Sequence, residues 1–466
     1  MLFNSTVFLQ FFAAFLLLYF LCRNSLVARN VLIVAGSWLF YGWWDYRFLG
    51  LLIFSGCFDF VAGLLVVRAG EGRARKAMLG LSVAINLTLL GFFKYYDFFA
   101  GSLAALLARL HMEIDVHTLG IVLPVGISFY TFQSLSYVID VYRGQMQPTR
   151  NLLHYLAYVS FFPQLVAGPI QRGHHLLPQL ARTLAINRAM LEAGVWLILW
   201  GLFKKVAMAD NLAPMVEMVF GDPSAAAPAV LSGTLAFAFQ IYGDFSGYSD
   251  VARGLAKILG FELQDNFNLP FFASDLRDFW RRWHISLSSW LRDYLYISLG
   301  GNRQGAGRTS INLLLTMLLG GLWHGAAWNF VLWGAWHGLG LVVVRWWQER
   351  RGARAPWPGW LGIPATFLFV LYGWLLFRAG SIQRLGAMTC ALADWSAPAW
   401  LPHYLLSLFI FVAPLVLVET WQKRAGDLLA PLAAPFWLRS GLQGLLLAGI
   451  LLFWERRSVP FIYFQF

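Results

Sequence analysis

The chain has 466 residues, of which 59% are hydrophobic and only 12% charged, and its formal net charge is +12. A water-soluble domain carries about 25% charged residues, so a chain this apolar cannot cover its surface with polar groups, and lipid must be the solvent for much of it. The basic excess fits cytoplasmic loops that set the orientation of a membrane protein better than it fits a nucleic-acid surface.

Long apolar runs follow one another along the chain: Val7 to Leu21, Phe48 to Val67, Leu79 to Phe93, Val195 to Phe203, Leu313 to Leu319, Leu361 to Phe377 and Leu405 to Val418. The longer ones approach the roughly 20 residues that cross a bilayer core. The shorter ones read as spans extended by polar flanks, or as buried, broken or re-entrant helices. The start has no positive region and no A-x-A site, so it reads as a retained first helix rather than a signal peptide. Basic clusters at Arg23 and Arg29, at Arg68 to Lys76, and at Arg143 and Arg150 alternate with pairs of hydrophobic segments. That alternation places them on the cytoplasmic side and makes Tyr95 to Gly120 an external stretch. Asp265 to Arg308 mixes many charges with many aromatics, which lipid would not tolerate, so it lines a wet cavity or lies at the cytoplasmic interface. Two apolar stretches broken at Gly320-Gly321 come next, then a basic, Pro-rich loop from Trp346 to Pro358, then two or three further helices. The reading is all-α, a polytopic bundle of transmembrane helices forming one domain over residues 1–466, with an aromatic tail at 460–466.

Cys22, Cys57 and Cys390 are scattered and show neither metal-ligand spacing nor a disulfide framework. There is no H-E-x-x-H, no G-x-S-x-G elbow and no Walker loop, so no metal and no bound cofactor are expected. His324 stands out, because it lies in Gly-Gly-Leu-Trp-His-Gly-Ala-Ala-Trp-Asn within an uncharged membrane segment. A histidine at membrane depth is costly and points to function; it is either a general base or a buried group bonded to a neighbouring helix. His337, in a second Trp-His-Gly, falls on a different face of one straight helix and reads as structural. His284 ends Arg281-Arg282-Trp283-His284. The two arginines either snorkel from an interfacial helix or attract a phosphate-bearing donor. His174 and His175 follow Gly168-Pro169 in a re-entrant or interfacial segment. Tyr242 to Asp250 forms a polar island, whose Asp244 and Asp250 would pair with arginines or line the same cavity.

The run Asp278 to Ser286 resembles a signature of the membrane-bound O-acyltransferases, and Gly321 to Trp328 resembles the second. Tyr242 to Asp250, Phe162-Pro163-Gln164 with Ala167-Gly168-Pro169, and Ser37 to Tyr41 fit as well. The likeness covers nearly the whole chain and is greatest to the bacterial alginate O-acetylase branch. It implies roughly 11 or more membrane helices, with re-entrant or interfacial ones, around a tunnel. It also implies a place in the bacterial inner membrane. His324 would be the catalytic histidine, with His284 assisting from a cytoplasmic funnel. Arg281, Arg282, Trp283, Trp323 and Tyr248 would contact substrate. The donor would be acetyl-CoA, and periplasmic acetyltransferase partners would complete transfer to an exported polysaccharide. Alginate leads there, with cellulose or another surface polymer as the alternative, and a transporter or flippase without chemistry is the rival from another class. Pro460 to Phe466 resembles the tail of this branch and the end of a small membrane peptide of teichoic-acid D-alanylation. By that likeness Tyr463 would be an acyl relay; otherwise the tail is an aromatic interfacial anchor.

Overall fold

A computed structural model describes residues 1–112, 117–166, 168–351, 358–454 and 461–462. Among them the regular structure is helical throughout. Four helices are long and apolar enough to cross a membrane: Tyr46–Arg68, Arg73–Arg109, Gly359–Arg378 and Leu401–Ala425. Shorter apolar helices span Thr6–Cys22, Leu26–Gly42 and Phe436–Leu452. This is a multi-pass membrane protein. The chain divides into two compact units, one of Met1–Asn187 with Ala256–Gln264, the other of Arg188–Leu255 with Asp265–Phe466.

In the first unit two charged groups buried in apolar helices find donors or acceptors on neighbouring elements. Asp59, fully buried in the Tyr46–Arg68 helix, accepts hydrogen bonds from Ser82 Oγ at 2.8 Å and Asn86 Nδ2 at 3.0 Å. A carboxyl group at that depth needs such donors. Arg29 was expected to mark a cytoplasmic loop. It lies inside the Leu26–Gly42 helix and is buried, donating to the carbonyls of Leu180 at 2.8 Å and Arg182 at 2.7 Å. It thereby satisfies the orphan carbonyls at the end of the Gly173–Leu180 helix, where a cation is also favoured by the helix dipole. Within Tyr95 to Gly120, read as external, Tyr96–Arg109 is helical and continues the run from Arg73.

The second unit is built on close helix approach. In the Ala227–Ile258 helix, Gly243, Gly247 and Gly254 face the Arg188–Leu202 helix and the π-helical stretch Phe203–Ala209 that follows it. A Cβ at Gly247 would lie 2.7 Å from the Gly201 carbonyl oxygen, and one at Gly254 2.6 Å from that of Gly194. Small residues spaced this way let backbones touch where lipid offers no hydrophobic drive. Further on, the helix expected to break at Gly320-Gly321 runs intact from Gly305 to His324. The break falls at Gly325, after which the Trp328–Arg351 helix packs back antiparallel against it. Gly321 and Gly334 are where the two backbones meet, with no room for a side chain at either. The second helix reaches Arg351, so Trp346 to Arg351, the first part of the stretch to Pro358 read as a loop, is helical.

Candidate active site

His284 occupies a turn made by two short helices, Leu276–Arg282 and Ile285–Trp290. The first is capped by Asp275, whose side chain accepts from the N–H groups of Arg277 and Asp278. His284 itself sits at φ 43°, ψ 54°, in the left-handed region. A non-glycine residue there costs about 1–2 kcal/mol and persists only when its surroundings hold it. Asn266 does the holding. Its carbonyl accepts the N–H of Ile285 at 2.9 Å, and its Oδ1 accepts the N–H of Ser286 at 3.3 Å and the hydroxyl of Ser286 at 2.9 Å.

The same amide fixes the imidazole. Oδ1 of Asn266 lies 3.1 Å from His284 Nδ1. Since a backbone N–H and a hydroxyl already point at that oxygen, it is the acceptor and Nδ1 carries the hydrogen. The neutral ring therefore presents its lone pair at Nε2. Asn266 is steadied in turn, because its Nδ2 donates to Ser249 Oγ at 3.1 Å.

His324 closes the Gly305–His324 helix and is buried. Trp323 stands edge-on to both imidazoles, with ring centroids 5.7 Å from His284 and 5.1 Å from His324. Trp333 at 5.0 Å and Phe377 at 5.5 Å complete an aromatic wall around His324. The two histidines thus flank one indole, both buried among aromatic rings, where a proton acceptor acts far more strongly than in water. His337 is also buried, 4.8 Å from Trp333. The straight helix assumed for His324 and His337 does not exist. The turn at Gly325 puts them on two antiparallel helices, with Trp333 in contact with both.

Of the other predicted residues, Tyr248 joins this group and the rest lie elsewhere. Tyr248 is buried against Phe461, centroids 4.6 Å apart, and Phe461 packs on Phe245, whose ring meets His284 at 4.6 Å. Tyr248, Phe461, Phe245, His284, Trp323 and His324 therefore form one run of touching rings. Trp283 is buried too but turns toward Trp374, 4.8 Å away. Arg281 is exposed, while Arg282 donates to Asp278 at 2.8 Å and to the Asn268 carbonyl at 3.3 Å. Asp244 and Asp250 pair chiefly with lysines: Lys205 bridges Asp244 at 2.8 Å and Asp210 at 2.7 Å, and Lys204 meets Asp250 at 2.6 Å. Arg253 adds a second contact to Asp250 at 3.2 Å. Tyr463 lies outside the described residues. His174 and His175 belong to the first unit, where His174 stands 3.5 Å from Asp140 and His175 bonds Gln171 at 3.0 Å.

Residues 147–389 match the model of the membrane-bound O-acyltransferase family. The chain belongs to that family. A probable alginate O-acetylase AlgI of Azotobacter vinelandii is 43% identical over 85% of this chain and 79% of its own length. The protein of the same name from Pseudomonas aeruginosa is 44% identical over 82% of this chain and 73% of its own. A peptidoglycan O-acetyltransferase of Helicobacter pylori is 36% identical over 82% and 78%. The chain is an O-acyltransferase of this class, and these relatives are named for alginate and peptidoglycan.

Within this acyltransferase, sequence reasoning passed over Asn266, Ser286, Phe245 and Lys205. Asn266 offered a faint signal as an amide among apolar neighbours in Asn-Phe-Asn. Phe245 offered none, since an aromatic in an apolar helix is ordinary. Lys204 and Lys205 carry a clear one, two adjacent charges closing the Val195 to Phe203 run.

Proposed function

We propose that this acyltransferase takes an acetyl group from cytoplasmic acetyl-CoA and delivers it across the bacterial inner membrane for O-acetylation of an exported polysaccharide, alginate above others. The observation that carries the proposal is the pair of imidazoles on either side of Trp323, one of them oriented by Asn266. Its relatives' names support acetyl as the group and a surface polymer as the destination. Periplasmic acetyltransferases would act as partners in the last transfer, and a ring of some 11 or more membrane helices around a tunnel would separate the two aqueous sides.

In the reaction so read, His324, assisted by His284, accepts the proton of an acceptor hydroxyl. The hydroxyl oxygen attacks the thioester carbonyl, the C–O bond forms and the C–S bond breaks. The imidazolium returns its proton to the departing thiolate of coenzyme A. General-base help of this kind is worth about 10²–10⁴-fold. Arg281, exposed, and Arg282 would meet the phosphates of the donor on its way in. Tyr463 would be the first acceptor, because a phenol of pKa about 10 ionises more readily than a sugar hydroxyl and its ester is a better acyl donor.

The test is a donor assay on purified protein with labelled acetyl-CoA. Wild type releases coenzyme A and gains label on Tyr463, and His324→Ala does neither while folding normally. Undiminished thioester cleavage by that variant would defeat the assignment. No cleavage by wild type under any acceptor would favour a transporter.

A further inference from the structure

The buried stripe of the Leu401–Ala425 helix runs through Tyr404, Leu408, Val412 and Leu415, and then reaches Glu419 and Gln422. These positions recur every three or four residues, so they share one face. An apolar side chain at 419 would suit that face. A carboxyl group only 4% exposed in a membrane helix needs a partner instead. Tyr242 supplies one, its hydroxyl donating to Glu419 Oε1. The helix end that carries Glu419 is itself fixed: Gly426 closes it in the left-handed region, and Gln422 Nε2 donates to the Leu428 carbonyl at 2.6 Å.

The ring of Tyr242 reaches toward the site. Its centroid lies 5.7 Å from that of Phe267, 5.1 Å from Phe271 and 5.9 Å from Trp283. Phe267 follows Asn266 and Trp283 precedes His284, and these two rings meet each other at 5.1 Å. Phe267 also stacks on the His284 imidazole, 6.5 Å away. Tyr242 therefore braces both sides of the contact that orients His284, the side carrying the acceptor and the side carrying the imidazole. Lys204, bound to Asp250 at 2.6 Å, adds a hold on the same ring, its ammonium 5.9 Å from the centroid. All of these residues belong to the second unit.

We propose that Glu419 is a positioning residue for His284, acting through Tyr242. The proposal rests on the reading of His284 as a partner in catalysis, but the hold on its ring stands on the contacts alone. Apolar packing leaves a ring able to slide among its neighbours, whereas a directional bond at the phenol oxygen sets its depth. Glu419 fixes the phenol, the phenol's ring fixes Phe267 and Trp283, and these keep Asn266 Oδ1 opposite His284 Nδ1. A displacement of about 1 Å at a reacting group can cost about 10²-fold in rate, so a brace this far out is felt at the chemistry. Glu419 lies beyond residues 147–389, so the helix that supplies it stands outside the stretch that matches the family model.

Kinetics of the purified full-length protein with labelled acetyl-CoA, together with ring-nitrogen NMR of His284, test the proposal. Wild type should show a single His284 tautomer, with the hydrogen on Nδ1. At equal folded fraction, Glu419→Leu should lower kcat about tenfold and leave KM for acetyl-CoA within about twofold. It should also give His284 a second or averaged set of ring signals. Glu419→Gln keeps an oxygen for the phenol, and should recover about half or more of wild-type kcat and the single tautomer. Tyr242→Phe, which removes one oxygen, should match Glu419→Leu, and the double variant should be no slower than the slower single. If Glu419→Leu keeps kcat within about twofold of wild type, or if the two losses multiply, the positioning role is refuted. Should Glu419→Leu fail to fold, Tyr242→Phe decides by its kcat and its His284 signals. Full activity of His284→Ala beside disturbed ring signals in Glu419→Leu would refute the catalytic reading of His284 and leave the hold on its ring standing.

Discussion

Replacing Asn266 with Ala tests whether the orientation of His284 matters to the chemistry. The substitution removes the acceptor of His284 Nδ1–H, of the Ser286 N–H and of the Ser286 hydroxyl, and the donor to Ser249. Losing the partner of a buried polar group costs about 1–3 kcal/mol. If half or more of that falls on the reacting geometry, the rate drops by about 2- to 140-fold, at roughly 1.4 kcal/mol per decade. The remainder falls on the turn at His284, whose positive φ then has fewer constraints. Asn266→Asp keeps an oxygen in the same place and should retain more activity than Asn266→Ala. The assay is release of coenzyme A from labelled acetyl-CoA by purified protein, compared at equal folded fraction by thermal melting. If Asn266→Ala works within a factor of about two of wild type while His284→Ala is inactive, the ring needs no orientation, and the tautomer argument fails.

Other substitutions separate the roles around this pair. Lys205→Met removes the ammonium that bridges buried Asp210 and Asp244, and should destabilise the protein by about 3–5 kcal/mol, read as a drop in melting temperature or loss of folded protein from detergent extracts. His337→Leu should keep donor cleavage within about threefold of wild type and lower stability by no more than about 1 kcal/mol, since neither ring nitrogen has a hydrogen-bond partner among the described residues. Gly334→Ala drives a methyl group into the Met317 carbonyl on the facing helix, a backbone group that cannot swing away. It should cost about 1–3 kcal/mol and shift the melting curve, whereas Gly386→Ala, where nothing lies within 4 Å, should not.

Composition and run length were enough to read the membrane class and the helical fold, because the lack of water leaves helices as nearly the only solution for such a chain. The boundaries were harder. Gly320-Gly321 reads as a break because glycine weakens helices in water. In a tightly packed pair the absent Cβ is what lets the backbones touch, and the helix continues through it. Arg29 misled for a related reason: a cation after an apolar run suggests a loop, yet this one is buried as a cap for carbonyls some 150 residues away along the chain.

The site divides in the same way. The histidines were legible because an imidazole among lipid-embedded helices needs a reason to be there. Their support was not, since it depends on partners distant in sequence that share no motif with them. Asn266 is an ordinary polar residue until the turn at His284 brings Nδ1 within 3.1 Å of its amide oxygen. Asp244 carried a signal, but it suggested the wrong partner, because a lone carboxylate invites pairing with the many arginines nearby in sequence. Sequence proximity does not decide such pairings; the price of an unmatched charge does. The glycine contacts bring Lys205 against the long helix, and once its ammonium is buried it must find carboxylates there. Asp244 in that cluster also accepts the backbone N–H of Ile462, 218 positions away along the chain.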